Sequence, residues 1–263
     1  METPLDSAHS DMHAAPDDDR ARLRFFERLA DGELFVLLAT EAGEAGSGLQ
    51  IFPEIFPVEG GRYVLAFDRE ERLTAFTGGP APYAALPGRA LATMLAGEGL
   101  GLGLNLGATS ETLLPAEALE WLAATLGQEW PEELEARPEK VLPPVGLPDA
   151  LVEALSAKLA HAAGLARAAW LAGVSYEGGR RGHLLAFVDA APGAEGALAR
   201  AVSEALAFSG IEVGALDVTF LDAADPTVAR LARVALGFEI PEPESVEPPS
   251  VPGRDPDRPP RLR

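Results

Sequence analysis

Apolar residues in the first 31 positions recur at helical spacing. Leu5, Ala8 and Met12 fall on one side of a segment that Thr3 can cap and Pro4 can open. Ala15-Pro16 ends it, and Asp17, Asp18 and Asp19 bring negative charge to the start of a second helix, where the helix dipole favours it. There Leu23, Phe26, Leu29 and Ala30 form the apolar stripe, and Asp31-Gly32 stops it. The period then shortens. Leu34 to Ala39 is a continuous apolar run of strand length, and Leu49 to Thr77 holds the extended stretches LQIF, IFPV, RYVLAF and RLTAF. Gly60-Gly61 and Asp68-Arg69-Glu70 supply turns between them, so this region is expected to be an antiparallel meander.

Beyond Gly78-Gly79-Pro80 the helical period returns. Pro87 opens a helix with Leu91, Met94 and Leu95 on one face, and Gly97 closes it. Residues 100–106 (LGLGLNL) read as a strand, and Pro115 begins a helix with Leu119, Leu122 and Leu126 facing inward. Residues 128–146 are rich in Glu and Pro without periodicity and read as a linker. From Pro148 the pattern is α-β-β-α-β-α. Its helical stripes are Leu151–Leu155–Leu159, Leu198–Val202–Ala205–Leu206 and Val228–Leu231–Ala235, and its extended runs are 166–176, 183–189 and 216–221. A helix between the second and third strands makes them parallel, joined by a right-handed crossover. The tail is too rich in Pro and charge to build a core and is expected to be disordered.

The expected class is therefore α+β, or mixed α/β, in two domains. Residues 1–127 form a mixed-sheet domain with flanking helices, 128–146 an acidic Pro-rich linker, 147–239 a smaller α-β-β-α-β-α domain, and 240–263 the tail.

Charge and composition then exclude several chemistries. The 263 residues carry a formal charge of −20 and contain no cysteine. Without thiols there are no disulfides, thiolate zinc sites or cysteine nucleophiles. So acidic a surface repels phosphate backbones and anionic lipid, so neither nucleic acid nor membrane is an expected partner. With no basic-then-apolar leader pattern and no apolar run of spanning length, the chain reads as cytoplasmic.

Three segments carry a family likeness: LADGELFVLLATEA (29–42), YVLAFDREERLTAFTGGPAPYAALPGRALATMLAGEGLGLGLNLG (63–107) and LLPAEALEWLAATL (113–126). Together they resemble the N-terminal domain of the SseB-like family, in particular its alphaproteobacterial versions. The second domain resembles the family's C-terminal domain through its order of elements. It departs from the family at LGFEIPEP (236–243), where members often carry a Pro-Phe-Tyr-like element. The resemblance implies a fold and supplies no catalytic residues.

The usual catalytic signatures are missing. Gly173-Val174-Ser175-Tyr176-Glu177 lacks the second glycine of a nucleophile elbow and lies in a strand run. The glycines from Gly97 to Gly103 fit no G-x-G-x-x-G register and lead from a helix into a strand, so close strand packing accounts for them. His9 and His13 stand at i, i+4 without a third ligand, on what reads as a solvated helix face. No cofactor or metal is implied. Asn105, a polar residue in an apolar strand, is the least ordinary position. It can tie down a loop such as the Thr77–Pro82 turn, or form a pocket wall with Tyr83 and Arg89. The leading expectation is a non-catalytic interaction or regulatory module with a protein partner, self-association being left open. The alternative is a small-molecule-binding protein or divergent enzyme using a polar pocket in the first domain.

Overall fold

The structure, a computed structural model, describes residues 2–39, 52–58, 60–127, 138–176, 179–210 and 216–242. Among them are eight helices and eleven strands in two mixed sheets, the α+β class expected. The chain divides into a unit of Met1–Leu134, Gly146–Leu155 and Ala199–Ala215 and a unit of Glu135–Val145, Ser156–Leu198 and Leu216–Arg263. Among the described residues no helix is long and apolar enough to cross a membrane.

In the first unit, helix α1 (Pro4–Ala14) is capped by Thr3 in a reciprocal box: Asp6 N–H donates to Thr3 Oγ1, and Thr3 N–H to the Asp6 carboxylate. Helix α2 (Asp19–Asp31) follows, capped by Asp18. Then come β1 (Glu33–Leu37), β2 (Ile55–Val58), β3 (Gly61–Phe67), β4 (Tyr83–Pro87), β5 (Gly101–Leu104) and β6 (Thr112–Leu114). The sheet order is β4-β1-β3-β5-β6, with β2 also on β3. Between these strands lie α3 (Glu70–Thr77) and α4 (Gly88–Leu95), and α5 (Ala116–Leu126) follows β6.

Strand alternation gives this sheet two different faces. Leu34, Val36, Val64, Ala66, Leu102, Leu104 and Leu114 point into the main core, where Leu5, Phe25, Leu29, Leu91, Leu119 and Leu122 meet them. Each of the leucines, valines and Phe25, fully buried, contributes about 1.5–3 kcal/mol. Gly88 is required at the start of α4, because a Cβ there would lie 1.8 Å from the Leu29 carbonyl oxygen. The other face carries Phe35, Leu37, Leu65 and Phe67, over which α3 lays Leu73.

One expectation is corrected here. RLTAF is not extended: it forms most of α3, because Glu70 and Glu71 favour the first helical turn and Gly78, at φ 72, supplies the left-handed stop. Within the expected meander β2 does pair antiparallel with β3, as β1 does, and β5, from beyond that region, joins β3 in parallel. LQIF falls largely outside the described residues, as do residues 128–137 of the expected linker and 243–263 of the expected tail.

The second unit holds a sheet ordered β10-β9-β8-β11. Helix α6 (Asp149–Ala160) precedes strands β8 (Ala168–Ser175) and β9 (Arg181–Val188), which pair as the expected hairpin, and β10 (Leu216–Leu221) joins β9 in parallel, as a connection through α7 (Glu195–Ser209) predicts. The remaining edge of β8 takes β11 (Leu236–Phe238) and β7 (Lys140–Leu142) one after the other. Lys140–Leu142 thus belongs to a sheet, although the neighbouring prolines make it read as linker. Leu231 of α8 (Pro226–Val234) packs on Ala172 and Ala186.

Candidate functional site

The densest polar chemistry lies where α1, the end of β3, α3 and the loop after β5 converge. Arg72 on α3 reaches Asp6 with both terminal nitrogens, Nη1 to Oδ1 at 2.8 Å and Nη2 to Oδ2 at 2.6 Å. Its Nη1 also donates to Asp68 at 2.7 Å. Ser110 Oγ donates to Asp6 at 2.5 Å, and Thr3 Oγ1 donates to Asp68 at 2.6 Å. The Arg72 hydrogen bonds, against the opposing effect of burial, hold the Asp6 carboxyl well below the usual carboxylate range, with help from Ser110 and the Thr3 backbone. A carboxylate so firmly ionised is a structural anchor. A general acid or base would titrate near the working pH.

Asn105 belongs to this assembly. It is fully buried and left-handed (φ 52), a conformation that asparagine tolerates better than most residues. Its Oδ1 accepts from the Asp68 backbone N–H at 3.0 Å, and its Nδ2 donates to Ser110 Oγ at 3.1 Å. The loop it ties down is therefore 105–110, joined to the end of β3, rather than the Thr77–Pro82 turn. Tyr83 lies elsewhere. Strands β1 and β3 separate β4 from β5, which places the two residues roughly 14 Å apart across the sheet. Arg89, on α4, pairs with Asp31 at 2.6 Å and with Glu204 at 2.9 Å. The three residues do not form one wall.

Beside the Arg72 network opens a cleft of about 650 Å³, lined by polar residues that include Asp6, His9, His13, Arg72, Ser110 and Glu111. His9 is 7% exposed, which corrects its reading as part of a solvated face. The helix presents it to Phe25, with ring centroids 6.0 Å apart, and to His13 at 4.3 Å. Burial and then the His13 charge push its pKa down, so the ring is neutral near pH 7. Asp6, Arg72 and Ser110 escaped the sequence reading because Arg72 and Asp6 are 66 positions apart. The one local signal was the T-x-x-D spacing of the cap.

Residues 10–121 match the SseB protein N-terminal domain. The match runs from within α1 into α5, so it spans the whole six-stranded sheet and bears out the resemblance for that part of the chain. No curated protein and no solved structure matches the chain significantly.

The second face of this sheet is the other feature of note. Two glycines on β5 shape it. A Cβ on Gly101 would lie 2.5 Å from the Tyr63 ring, and one on Gly103 2.6 Å from Leu65, so both side chains of β3 lie across the β5 backbone. That is the close packing expected of these glycines. The apolar strip extends across the strands, from Tyr83 against Phe35 (5.4 Å), through Phe67 against Phe76 (5.4 Å), to Leu113 beside Gly103. Tyr83, Phe76 and Leu113 remain 38%, 41% and 44% exposed. The Glu70 carboxylate takes up the Tyr83 hydroxyl, which pushes its ionisation upward.

Proposed function

We propose that the chain is a non-catalytic, cytoplasmic interaction or regulatory module that engages a protein partner through the second face of its SseB-type sheet. The observation that carries this reading is the difference between the two faces. The main core face is covered by α1, α2, α4 and α5, whereas among the described residues α3 is the one helix over the second, with Ala81 and Leu106 of neighbouring loops beside it. A strip of exposed Tyr, Phe and Leu crossing several strands is the composition of an interface core. Glu33, Glu70 and Glu71 lie along the strip. The partner segment that fits is therefore an apolar anchor flanked by lysine or arginine. Firmly ionised Asp6, and the mutual satisfaction of Arg72, Asp68, Ser110 and Asn105, support the non-catalytic part. We read the second unit as the family's C-terminal domain, in its alphaproteobacterial form, on the order of its elements.

The test is a photo-crosslinking residue placed at position 83, with position 120 on the exposed side of α5 as control, in cells that produce the full chain. One discrete adduct from position 83, missing from position 120, supports the reading, and its mass distinguishes a foreign partner from a second copy. The same smear from both positions, or no adduct, contradicts it.

A further inference from the structure

One edge strand of this chain lacks the protection that others carry. An edge presents unpaired N–H and C=O groups, and proline or a basic side chain is the usual means of keeping another strand away. In the first unit β2 contains Pro57, β4 ends on Pro87 and β6 runs into Pro115, and in the second β7 runs into Pro143. Strand β10 is the outer strand of the second sheet, and its six residues, LDVTFL, include no proline, lysine or arginine. Among the described residues no strand pairs with its outer edge. We infer that β10 pairs with β10 of a second copy, antiparallel about Val218, so that the two copies share one continuous sheet.

The backbone sets which residues take part. Asp189 N–H donates to the Leu221 carbonyl at 2.9 Å, so Leu221 turns its polar groups toward β9. Alternation along the strand turns those of Asp217 and Thr219 the same way, and those of Leu216, Val218 and Phe220 outward. In a two-fold antiparallel pair the outward residues exchange hydrogen bonds, Val218 with Val218 and Leu216 with Phe220. Asp217 then stands opposite Thr219 of the second copy, on the same face of the sheet.

The side chains make this strand complementary to itself. Asp217 accepts from the Tyr176 hydroxyl and from Arg180, the latter at 3.3 Å, through Oδ2 in both cases, which leaves Oδ1 for a further donor. The Thr219 hydroxyl of the second copy is such a donor, and the register keeps the two Asp217 carboxylates from facing each other. Phe220 stacks on Phe187, ring centroids 5.6 Å apart, and so holds its ring where Leu216 of the second copy would pack. The side chains from Asp217 to Leu221 are half-buried, with area left for a neighbouring strand to cover. Apolar pairs and a hydroxyl–carboxylate pair that recur under a two-fold axis are what an isologous interface needs. The charge of −20 per chain opposes association at long range, so the dimer should tighten as salt screens it.

The chain has no cysteine, so one introduced thiol reports one contact. Sedimentation equilibrium of the full chain over about 1–100 µM, in about 0.3 M salt, should show the mass approach that of two chains. Under mild oxidation Val218→Cys should form a disulfide-linked dimer, because residues in a hydrogen-bonded antiparallel pair have Cα atoms about 5.5 Å apart, within disulfide reach. Thr219→Cys, offset from its own counterpart by about two residues, should cross-link at least about tenfold less. Val218→Pro, which removes an N–H that β9 does not use, should be monomeric with an unchanged circular dichroism spectrum. A single-chain mass across the whole range would overturn the inference and leave the edge to a strand of another protein. So would equal cross-linking from both cysteines, or a folded Val218→Pro chain that still dimerises.

Discussion

Replacing Asp6 by asparagine keeps the shape of the anchor of α1 and removes its charge. In the native chain that carboxylate accepts from Arg72 at 2.8 and 2.6 Å, from Ser110 at 2.5 Å and from the Thr3 N–H at 2.8 Å. An asparagine can point its oxygen at only part of this set, and its NH2 group then faces a guanidinium that can only donate. Breaking a buried pair costs about 3–5 kcal/mol, and the lower end applies here because Asp68 still neutralises Arg72 at 2.7 Å. A loss of about 3 kcal/mol is about 150-fold in the opening equilibrium of α1. Hydrogen–deuterium exchange of peptides over residues 3–14 should therefore accelerate by two orders of magnitude in Asp6→Asn, while α5 peptides serve as an internal reference. The sign of the pH effect follows from the depressed Asp6 ionisation. Its contribution is complete above the ordinary value of 3.8 and is lost only as the pH falls through the lower folded value. The gap between variant and native chain should thus persist at pH 4 and close only in stronger acid. Less than fivefold acceleration, or equal acceleration in α5, would refute the argument.

Other substitutions test neighbouring parts of the account. Asn105→Ala removes two side-chain hydrogen bonds from a fully buried, left-handed residue, so it should cost about 2–4 kcal/mol in urea unfolding. Asn105→Gly should cost less, since it restores the backbone freedom alone. Gly88→Ala places a methyl group against the Leu29 carbonyl and should destabilise the first unit by about 3 kcal/mol, read from Trp121 fluorescence during unfolding. Phe76→Ser and Leu113→Ser remove half-covered apolar side chains and should each cost about 1–2 kcal/mol in urea unfolding.

Helices with both a cap and a stripe were legible in the sequence. Thr3-Pro4, the Asp17–Asp19 run and Pro115 mark helix starts that the structure keeps within two residues. The parallel β9–β10 pair followed from element order alone. Short segments were not legible. β6, β7 and β11 are three residues each, too few to show a period, and their pairing depends on partners distant in sequence. α3 escaped because Leu73 is its sole buried residue, so it has no stripe to read. The site suffered most from the same limit. Asn105 stood out as a polar residue among apolar ones, but nothing in the sequence links Arg72 to Asp6 and Asp68, which the fold places around it. His9 looked solvated because Phe25, against which it packs, belongs to another helix.

The central claim is that the second sheet face takes a protein partner. The most direct test measures the yield of the position-83 cross-link in the Phe76→Ser/Leu113→Ser double variant against the otherwise unmodified chain, at matched expression and folded fraction. The account predicts one discrete adduct that falls at least tenfold in the double variant, as loss of two apolar anchors from an interface core implies. An adduct of undiminished yield in a variant that has lost both exposed anchors would contradict it.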